Sequence, residues 1–163
     1  MPPDPQISGS FYLHCDAHAS HRLRVMLDEV FGPRNFRREV IWASGDTSGF
    51  KSAAKNWIRS HDSILFYVKS DSFTFNPEHL PYTEKYLKVF SKVDENGRRY
   101  RGQSGSRIQY LDESKGKKVG SVWTDIMSFQ QNTRAAERVG YPTQKPLALL
   151  ERIVKASSDG AQS

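Results

Sequence analysis

Within residues 10 to 68 the spacing of the hydrophobic residues alternates between that of a β-strand and that of an α-helix. This alternation constrains the fold more than any other feature of the sequence. Residues 10 to 16 are rich in aromatic side chains, which favours a short buried strand. A helix with a stop at Gly32 is predicted next. Its apolar positions at helical spacing are Leu23, Met26, Leu27, Val30 and Phe31. Strand-like segments follow at 36 to 42 and 63 to 68, so the sequence predicts an α/β fold.

A second helix is predicted near the end of the printed sequence. Pro146 is favourable in the first turn of a helix, because its missing N–H would have no partner there. The apolar residues that follow at helical spacing are Leu147, Leu150, Ile153 and Val154. We therefore expect these four side chains to line the buried face of a closing helix.

Length and composition exclude several classes of protein. The chain has 163 residues, which is one ordinary domain, and no stretch approaches the roughly 18 consecutive apolar residues of a membrane span. The first five residues lack the basic start and apolar run of a signal peptide, and Cys15 is the single cysteine. These features predict a cytoplasmic protein with no membrane partner.

The net charge is concentrated in one segment. The formal net charge is +6, and residues 85 to 118 alone contain ten Lys and Arg residues against four Asp and Glu residues. The rest of the chain is therefore balanced. Between residues 71 and 140 the hydrophobic pattern also loosens around turn signals such as Asn96-Gly97. We interpret this region as an irregular basic insert whose first partner to test is a polyanion.

Nucleic acid is the polyanion that this insert predicts, although a solvated charged loop is the alternative. Aromatic residues interleaved with cations suit base stacking and phosphate contact. The aromatic residues concerned are Tyr82, Tyr86, Phe90, Tyr100 and Tyr110. The predicted contacts to DNA are the cations Arg98, Arg99, Arg101, Arg107, Lys115, Lys117 and Lys118.

Five potential metal ligands are crowded into one short stretch. They are His14, Cys15, Asp16, His18 and His21. Imidazole, thiolate and carboxylate groups all bind first-row metals. On a strand, however, His14 and Asp16 share one face while Cys15 points to the other. The pattern therefore favours Cys15 in the core and Asp16 as the helix cap, and predicts no metal site. His14 and Asp16 still lie at the carboxyl end of a strand, where open α/β sheets bind ligands.

Residues 141 to 146, with the sequence Tyr-Pro-Thr-Gln-Lys-Pro, open the closing helix. Free amides at the start of a helix, together with Lys145, suit an anionic carboxylate or phosphate. A plain helix start without a ligand is equally consistent with the pattern.

Taken in order, these segments resemble the β-class amino-methyltransferases that methylate adenine N6 or cytosine N4 in DNA. Residues 142 to 153 are similar to motif X of that family. Residues 9 to 42 resemble the block that follows the catalytic motif in the adenine-specific, type III-like branch, and residues 61 to 70 resemble its next strand. The basic insert stands where the family has its target-recognition region.

The resemblance implies an architecture and a cofactor. It implies a partial Rossmann-like S-adenosylmethionine-dependent methyltransferase fold, in which residues 9–70 form the distal part of the sheet. Residues 71–140 are then the basic target-recognition insert, and residues 141–158 are the motif X helix, which packs back on the sheet. The partner implied is double-stranded DNA. The cofactor-binding residues implied are Thr143, Gln144, Lys145, His14 and Asp16.

Two motifs of the family are absent from the printed sequence. The catalytic Asp-Pro-Pro-Tyr tetrapeptide should precede residue 9, and the glycine-rich loop that binds S-adenosylmethionine should follow Ser158. We therefore expect a middle piece of a site-specific methyltransferase from a restriction-modification system, inactive alone and binding the cofactor weakly or not at all. No catalytic residue is predicted. Adenine N6 is the expected target and cytosine N4 the alternative.

Two rival functions remain open on the sequence. One is a stand-alone DNA-binding module without catalysis, and the other is a metal-dependent nuclease that uses the histidine cluster. The resemblance carries one further expectation. In the family the strand at residues 10–16 is interior, so its outer edge should be bare here. We expect self-association through that strand, or coverage of its edge by residues 1 to 8.

Overall fold

The computed structural model describes residues 8–43, 55–102 and 107–159. They belong to two compact units. The sheet unit comprises Met1–Asn76 and Gly120–Ser163, and the small unit comprises Pro77–Val119. In chain order the elements are β1 (Ser10–Cys15), α1 (Ser20–Phe31), β2 (Phe36–Ala43), β3 (His61–Val68), β4 (His79–Leu80), α2 (Glu84–Leu87), β5 (Lys92–Val93), β6 (Arg99–Arg101), β7 (Gln109–Tyr110), β8 (Lys117–Lys118), β9 (Val122–Trp123) and α3 (Leu147–Ser157). None of the helices in these described ranges has the length and apolar composition needed to cross a membrane.

The sheet unit contains a mixed sheet of four strands in the order β1-β3-β2-β9. The central strand β3 is antiparallel to both β1 and β2, and β9 pairs in parallel with β2. The three long strands lie where the sequence predicts them. Strand β3 is buried from Ser63 onward because it has a neighbouring strand on each side.

Helices cover both faces of this sheet. On one face, Cys15, Leu65 and Tyr67 form a buried cluster with Leu27 of α1. On the other face, the Tyr12 hydroxyl lies 2.7 Å from the hydroxyl of Ser157 in α3. Because successive strand residues point to opposite faces, α1 and α3 lie on opposite sides of the sheet. The predicted α/β class is therefore confirmed as a mixed sheet between helices.

Helix α1 agrees with its prediction in position but only partly in burial. It ends at Gly32, whose φ of 85° is a conformation that glycine adopts without strain. Leu27 is buried, but Met26 and Val30 of the predicted face are exposed. The prediction that Asp16 caps α1 is wrong: the N-cap residue is Ala19, and it makes no side-chain cap bond. The Asp16 carboxylate instead closes the turn before the helix.

The predicted buried face of α3 is wrong. Leu147, Leu150 and Val154 are each about half exposed, and the buried residues of the helix are Leu149 and Arg152. An ion pair explains why this face of the helix, and not the predicted one, is buried. The Arg152 guanidinium donates to both carboxylate oxygens of Asp125 at 3.0 and 2.5 Å, and it lies 5.1 Å from the ring of Trp123. A buried guanidinium needs such partners, so it fixes which side of α3 faces inward.

The small unit has its own core. It contains the antiparallel ladders β4-β8 and β5-β6-β7, whose strands are two or three residues long. Phe90 is completely buried, and the ring of Tyr82 lies 5.6 Å from it. Such short strands leave no hydrophobic period in a sequence, which is why the pattern there predicts only an irregular insert. The predicted insert, residues 71–140, is wider than this unit.

Candidate functional site

A cleft of about 530 Å³ opens in the sheet unit where β2 ends and β3 begins. Trp42 and Asp62 line it from the sheet, and Arg59 lines it from the segment before β3. The opposite wall comes from residues 128 to 146, which connect β9 with α3. The cleft therefore combines aromatic side chains with charges of both signs.

Asp62, which lines the cleft, also binds His14. The His14 Nε2 atom lies 3.0 Å from an oxygen of the Asp62 carboxylate, and the ring of Trp42 meets the imidazole edge-on with centroids 5.8 Å apart. Burial lowers the pKa of His14, and the positive charge of Lys145 lowers it further, while Asp62 opposes both. The imidazole is therefore neutral near pH 7. Lys145 lies close enough to act on it electrostatically, so the fold brings two of the predicted ligand residues together.

Arg59 links the two acidic residues of the site. Its guanidinium lies 3.4 Å from a carboxylate oxygen of Asp16 and 3.8 Å from one of Asp62. The Asp16 carboxylate also accepts hydrogen bonds from the backbone N–H groups of His18 and Ala19, and the bond from Ala19 is the main cause of its lowered pKa. Asp16 is thus ionised at neutral pH.

Sequence reasoning missed Arg59 and Asp62. Asp62 lies at the start of β3, and a single-sequence pattern does not show that an antiparallel strand starts beside the end of β1. Arg59 lies outside any regular element, so periodicity carries no information about it. A signal does exist in hindsight: both residues flank His61, which makes residues 59 to 62 a dense polar segment before an apolar strand.

Gln144 and Glu137 stabilise the loop before α3. The Gln144 side chain accepts a hydrogen bond from Val139 N at 2.9 Å and donates one to the Glu137 carbonyl at 2.7 Å. The Glu137 carboxylate accepts a 3.0 Å bond from Leu147 N, the first amide of α3. The side-chain oxygen and nitrogen of Gln144 are therefore both hydrogen-bonded, and the Glu137 carboxylate accepts the hydrogen bond of the first N–H of α3.

The other two predicted ligand residues of this loop differ in what they offer. The Thr143 carbonyl accepts a 3.3 Å bond from the Lys145 ammonium, which orients the lysine. Lys145 itself lines the cleft, together with Gln144 and Tyr141. Of the three residues predicted in this loop, Lys145 brings an ionised side chain to the cleft.

The histidine cluster does not converge. Cys15 is buried on the α1 face of the sheet, where burial raises the pKa of its thiol. His14 is paired with Asp62, and His18 is exposed. Across the ranges described here, no three His, Cys, Asp or Glu side chains are grouped so that they could hold a metal ion.

The first of the predicted DNA contacts, Arg98, makes three hydrogen bonds within the small unit. It donates to both carboxylate oxygens of Asp112, at 2.7 and 2.9 Å, and to Glu113 at 2.7 Å. Its guanidinium also lies 4.0 Å from the centre of the Tyr110 ring. These carboxylates raise the pKa of Arg98 above its usual range.

Arg99 and Arg101 are likewise bound inside the small unit. Arg99 donates to the carbonyl oxygens of Phe90 and Leu87, at 3.1 and 2.7 Å. Arg101 donates to the side-chain oxygen of Gln109 at 2.8 and 2.6 Å, and to the Tyr86 hydroxyl at 2.6 Å. The arginines of β6 therefore tie that strand to its neighbours.

The aromatic residues of the insert also pack on one another. Tyr82 stacks on Tyr86 with ring centroids 4.7 Å apart, and both contact the buried Phe90. Tyr100 lies opposite Tyr110 across β6 and β7, with centroids 5.7 Å apart. The expected stacking platform is thus the internal core of the small unit.

The remaining predicted contacts are in a different position. They are Arg107, Lys115, Lys117 and Lys118, all exposed. Within the described part of the chain, none of these four side chains makes a hydrogen bond or ion pair. The structure therefore divides the seven predicted cations into three whose guanidinium groups bind other groups of the small unit and four that have no such partner among the described residues.

Comparison with known proteins identifies what this chain is similar to. A sequence model of a family described as DNA methylases of the N6 and N4 type matches residues 6–161. The Type II methyltransferase M1.MboII of Moraxella bovis is 28% identical over 133 residues, which cover 76% of this chain and 46% of that relative. The chain thus spans about half the length of the curated relative.

Proposed function

Because this chain belongs to the family of adenine-N6 and cytosine-N4 DNA methylases, we propose that it is part of a site-specific DNA methyltransferase. The reaction proposed is transfer of a methyl group from S-adenosylmethionine to adenine N6, with cytosine N4 as the alternative. Its similarity to a methyltransferase named as Type II supports a place in a restriction-modification system.

The observation that carries this proposal is that Lys145 and Asp62 line one cleft, and that Asp62 also binds His14. S-adenosylmethionine supplies the methyl group, and its amino-acid end carries an ammonium and a carboxylate. A cleft lined by Lys145 and Asp62, with the Asp16 carboxylate bound to Arg59 of its wall, fits such a zwitterion. We propose that Lys145 binds the carboxylate and that Asp16 attracts the cationic groups. In this proposal the neutral imidazole of His14 offers a hydrogen bond to the ligand.

Thr143 and Gln144 complete the proposed cofactor site. The hydrogen bonds of Gln144 and of the Thr143 carbonyl, described above, support a role in holding the loop and orienting Lys145. The contacts of Gln144 favour positioning of Lys145 over direct recognition.

We propose no catalytic residue in this chain. Neither the Asp-Pro-Pro-Tyr tetrapeptide nor the glycine-rich cofactor motif occurs in the printed sequence. Methyl transfer to an exocyclic amine needs groups that hold the flipped base and aim the methyl group, and in the family those two motifs supply them. The chain by itself is expected to methylate no DNA and to bind the cofactor weakly.

The experiment that tests the cofactor site is a titration with S-adenosylmethionine, followed by NMR spectroscopy because the expected binding is weak. Shifts of the His14 and Trp42 signals are expected, and Lys145→Gln should weaken binding. Lys155→Gln is the matched control, because Lys155 is an exposed lysine that pairs with Glu151 on α3. Equal binding by wild type and Lys145→Gln would contradict the site. Tight binding, or incorporation of label into DNA, would contradict the proposed inactivity.

Double-stranded DNA is the proposed macromolecular partner. The exposed cations of the small unit support it, and they support equally the rival reading of a DNA-binding module without catalysis. The cofactor titration separates the two, since only a methyltransferase has reason to bind S-adenosylmethionine at the cleft.

We also propose that β1 mediates self-association. In the described residues β1 is the last strand of its sheet, and residues 1 to 7, which the sequence places near it, lie outside them. Phe11 of β1 and Val30 of α1 expose apolar surface beside this edge, where a shallow groove lies between them. An unpaired apolar edge favours pairing with another strand.

Sedimentation analysis tests this pairing. Phe11→Lys should lower the association constant, whereas Val93→Lys, an exposed position in the small unit, should leave it unchanged. Tyr12→Pro should act in the same direction as Phe11→Lys, because proline removes a ladder donor. A monomer at high concentration would contradict the proposal.

A further inference from the structure

We propose that Lys115 and Gly116, which lead into β8, together with Lys117 and Lys118 of β8, contact DNA phosphates; these four residues are here called the lysine turn. Arg98, Arg99 and Arg101 build the small unit without contacting DNA. This inference rests on the proposed function, from which it takes duplex DNA as the partner. It assigns the phosphate contacts to one turn of the insert.

The lysine turn is held rigidly at the end of a two-stranded ribbon. Lys118 pairs with His79 and Lys117 with Leu80, in the antiparallel ladder of β8 and β4. Gly116 has a φ of 104°, and a Cβ atom at this position would lie 2.4 Å from the Leu80 carbonyl oxygen. Only glycine permits this approach, so the backbone between the lysines is fixed.

The turn is also anchored to the core of the small unit. The hydroxyl of Ser114, just before Lys115, lies 2.7 Å from the hydroxyl of Tyr82. The ring of Tyr82 packs on Tyr86 and Phe90 in turn. The three lysines thus project from a backbone whose position is set by buried contacts, which reduces the conformational entropy lost when they bind.

Both faces of the ribbon present a cation. Successive residues of a strand point to opposite faces, and Lys117 and Lys118 are both exposed. A two-stranded ribbon can enter the major groove of DNA, whose walls are two phosphate backbones. Lysines on opposite faces of such a ribbon can therefore reach phosphates on both sides of the groove.

Arg98 serves this surface indirectly. Asp112 and Glu113 precede the turn in the chain, and both carboxylates are bound to Arg98. The single positive charge of Arg98 therefore offsets one of these two negative charges, which reduces their opposition to phosphate binding by the lysines. The same contacts hold the guanidinium in place, as do those of Arg99 and Arg101, so part of each guanidinium is already engaged in contacts that support the small unit.

The test compares two triple variants of the full chain that carry the same charge change. One is Lys115→Gln with Lys117→Gln and Lys118→Gln. The control is Lys85→Gln with Lys88→Gln and Lys92→Gln, three lysines of the small unit that are also exposed. Affinity for a short DNA duplex is measured over a range of salt concentrations, and circular dichroism melting shows that each variant is folded.

The lysine-turn variant should flatten the slope of log K against log salt by about 0.9 per lost contact, or up to about 2.7 for three. The control should change the slope by less than one contact. An unchanged slope in the lysine-turn variant, or equal flattening in both, would overturn the inference. Absence of salt-dependent binding by the wild type would instead overturn the proposed DNA partner.

Two further variants separate charge from position. Replacing the three lysines with arginine keeps the charge and should keep the slope. Gly116→Ala keeps every charge but forces the backbone away from Leu80, so it should lower the affinity of a folded protein. Full affinity in Gly116→Ala would show that the turn needs no fixed geometry, which contradicts the inference.

Discussion

The two compact units keep cationic and aromatic side chains in different places. The sheet unit buries aliphatic and aromatic residues between its sheet and α1, and it leaves Arg59 and Lys145 at an open cleft. The small unit builds its interior from stacked aromatic rings, and Arg101 of β6 lies against them. The lysines of the small unit, in contrast, are exposed to solvent.

The positive charge of a residue therefore does not tell by itself whether its side chain supports the fold or is left free to contact a ligand. Arginine offers five donors in a planar fork, so in a unit with few long strands it can supply the contacts that a sheet ladder supplies elsewhere. Lysine, a flexible point charge, adds less to such a framework. The hydrogen-bond acceptors around each cation, which only the structure gives, decide its role.

The largest expected effect is on the aromatic core of the small unit. Phe90→Ala removes a completely buried ring and should destabilise residues 77–119 by about 3–5 kcal/mol. Hydrogen exchange followed by mass spectrometry measures the change for each unit separately. Faster exchange is expected in the small unit, with the peptides of β1 and β3 unaffected.

The control for this substitution is the neighbouring residue. Val89 is about half exposed, so Val89→Ala should change stability by less than about 0.5 kcal/mol. If Phe90→Ala also exposed the amides of β3, the two units would unfold together. The contrast between two separate cores would then be wrong.

An intermediate effect is expected where the sheet unit uses arginine as the small unit does. Asp125→Asn leaves the buried Arg152 guanidinium without its carboxylate and should cost about 1–3 kcal/mol at neutral pH. The hydrogen bonds from Arg152 lower the pKa of Asp125. Its stabilisation is therefore complete above the unfolded-state pKa of about 3.9 and is lost as the pH falls through the lower folded-state pKa.

Urea unfolding at several pH values measures both parts of this prediction. The wild type should lose more stability than Asp125→Asn between neutral and strongly acidic pH. Asp71→Asn is the matched control, because Asp71 is almost fully exposed in its pair with Arg37 and should contribute little. Identical pH curves for wild type and Asp125→Asn would show that the ion pair adds no stability.

The sequence was sufficient for the parts of the fold whose hydrophobic pattern is local. β1, α1, β2 and β3 are each long enough for a period of two or 3.6 residues to appear, and the structure has them at the predicted positions. Helix α3 was also predicted, but its buried face was not. The Arg152–Asp125 pair that sets the face joins distant segments, and hydropathy ranks arginine as an exposed residue.

The candidate site was predictable only in part for a related reason. Sequence reasoning singled out Lys145, His14 and Asp16. In the structure His14 contacts Asp62 and Asp16 contacts Arg59, and Lys145 lines the same cleft as Asp62 and Arg59. No local pattern indicates the last two, since their role depends on strand order. In the small unit, strands of two or three residues carry no period, so the internal role of its arginines could not be inferred.

The smallest expected effect concerns Lys145 and Asp62, two charged residues that line the cleft of the sheet unit. If Lys145 and Asp62 face His14 as described, their removal must shift its pKa in opposite directions. Lys145→Gln removes a positive charge and should raise the pKa of His14, whereas Asp62→Asn removes the charge that favours protonation and should lower it. An NMR pH titration of the His14 imidazole signal measures both shifts. Since burial disfavours the imidazolium, the pKa of His14 in the wild type should lie below the ordinary value for histidine. Shifts of the same sign in both variants would mean that the loop before α3 does not hold Lys145 at His14, and the cleft would then lose the charge arrangement on which the cofactor proposal depends.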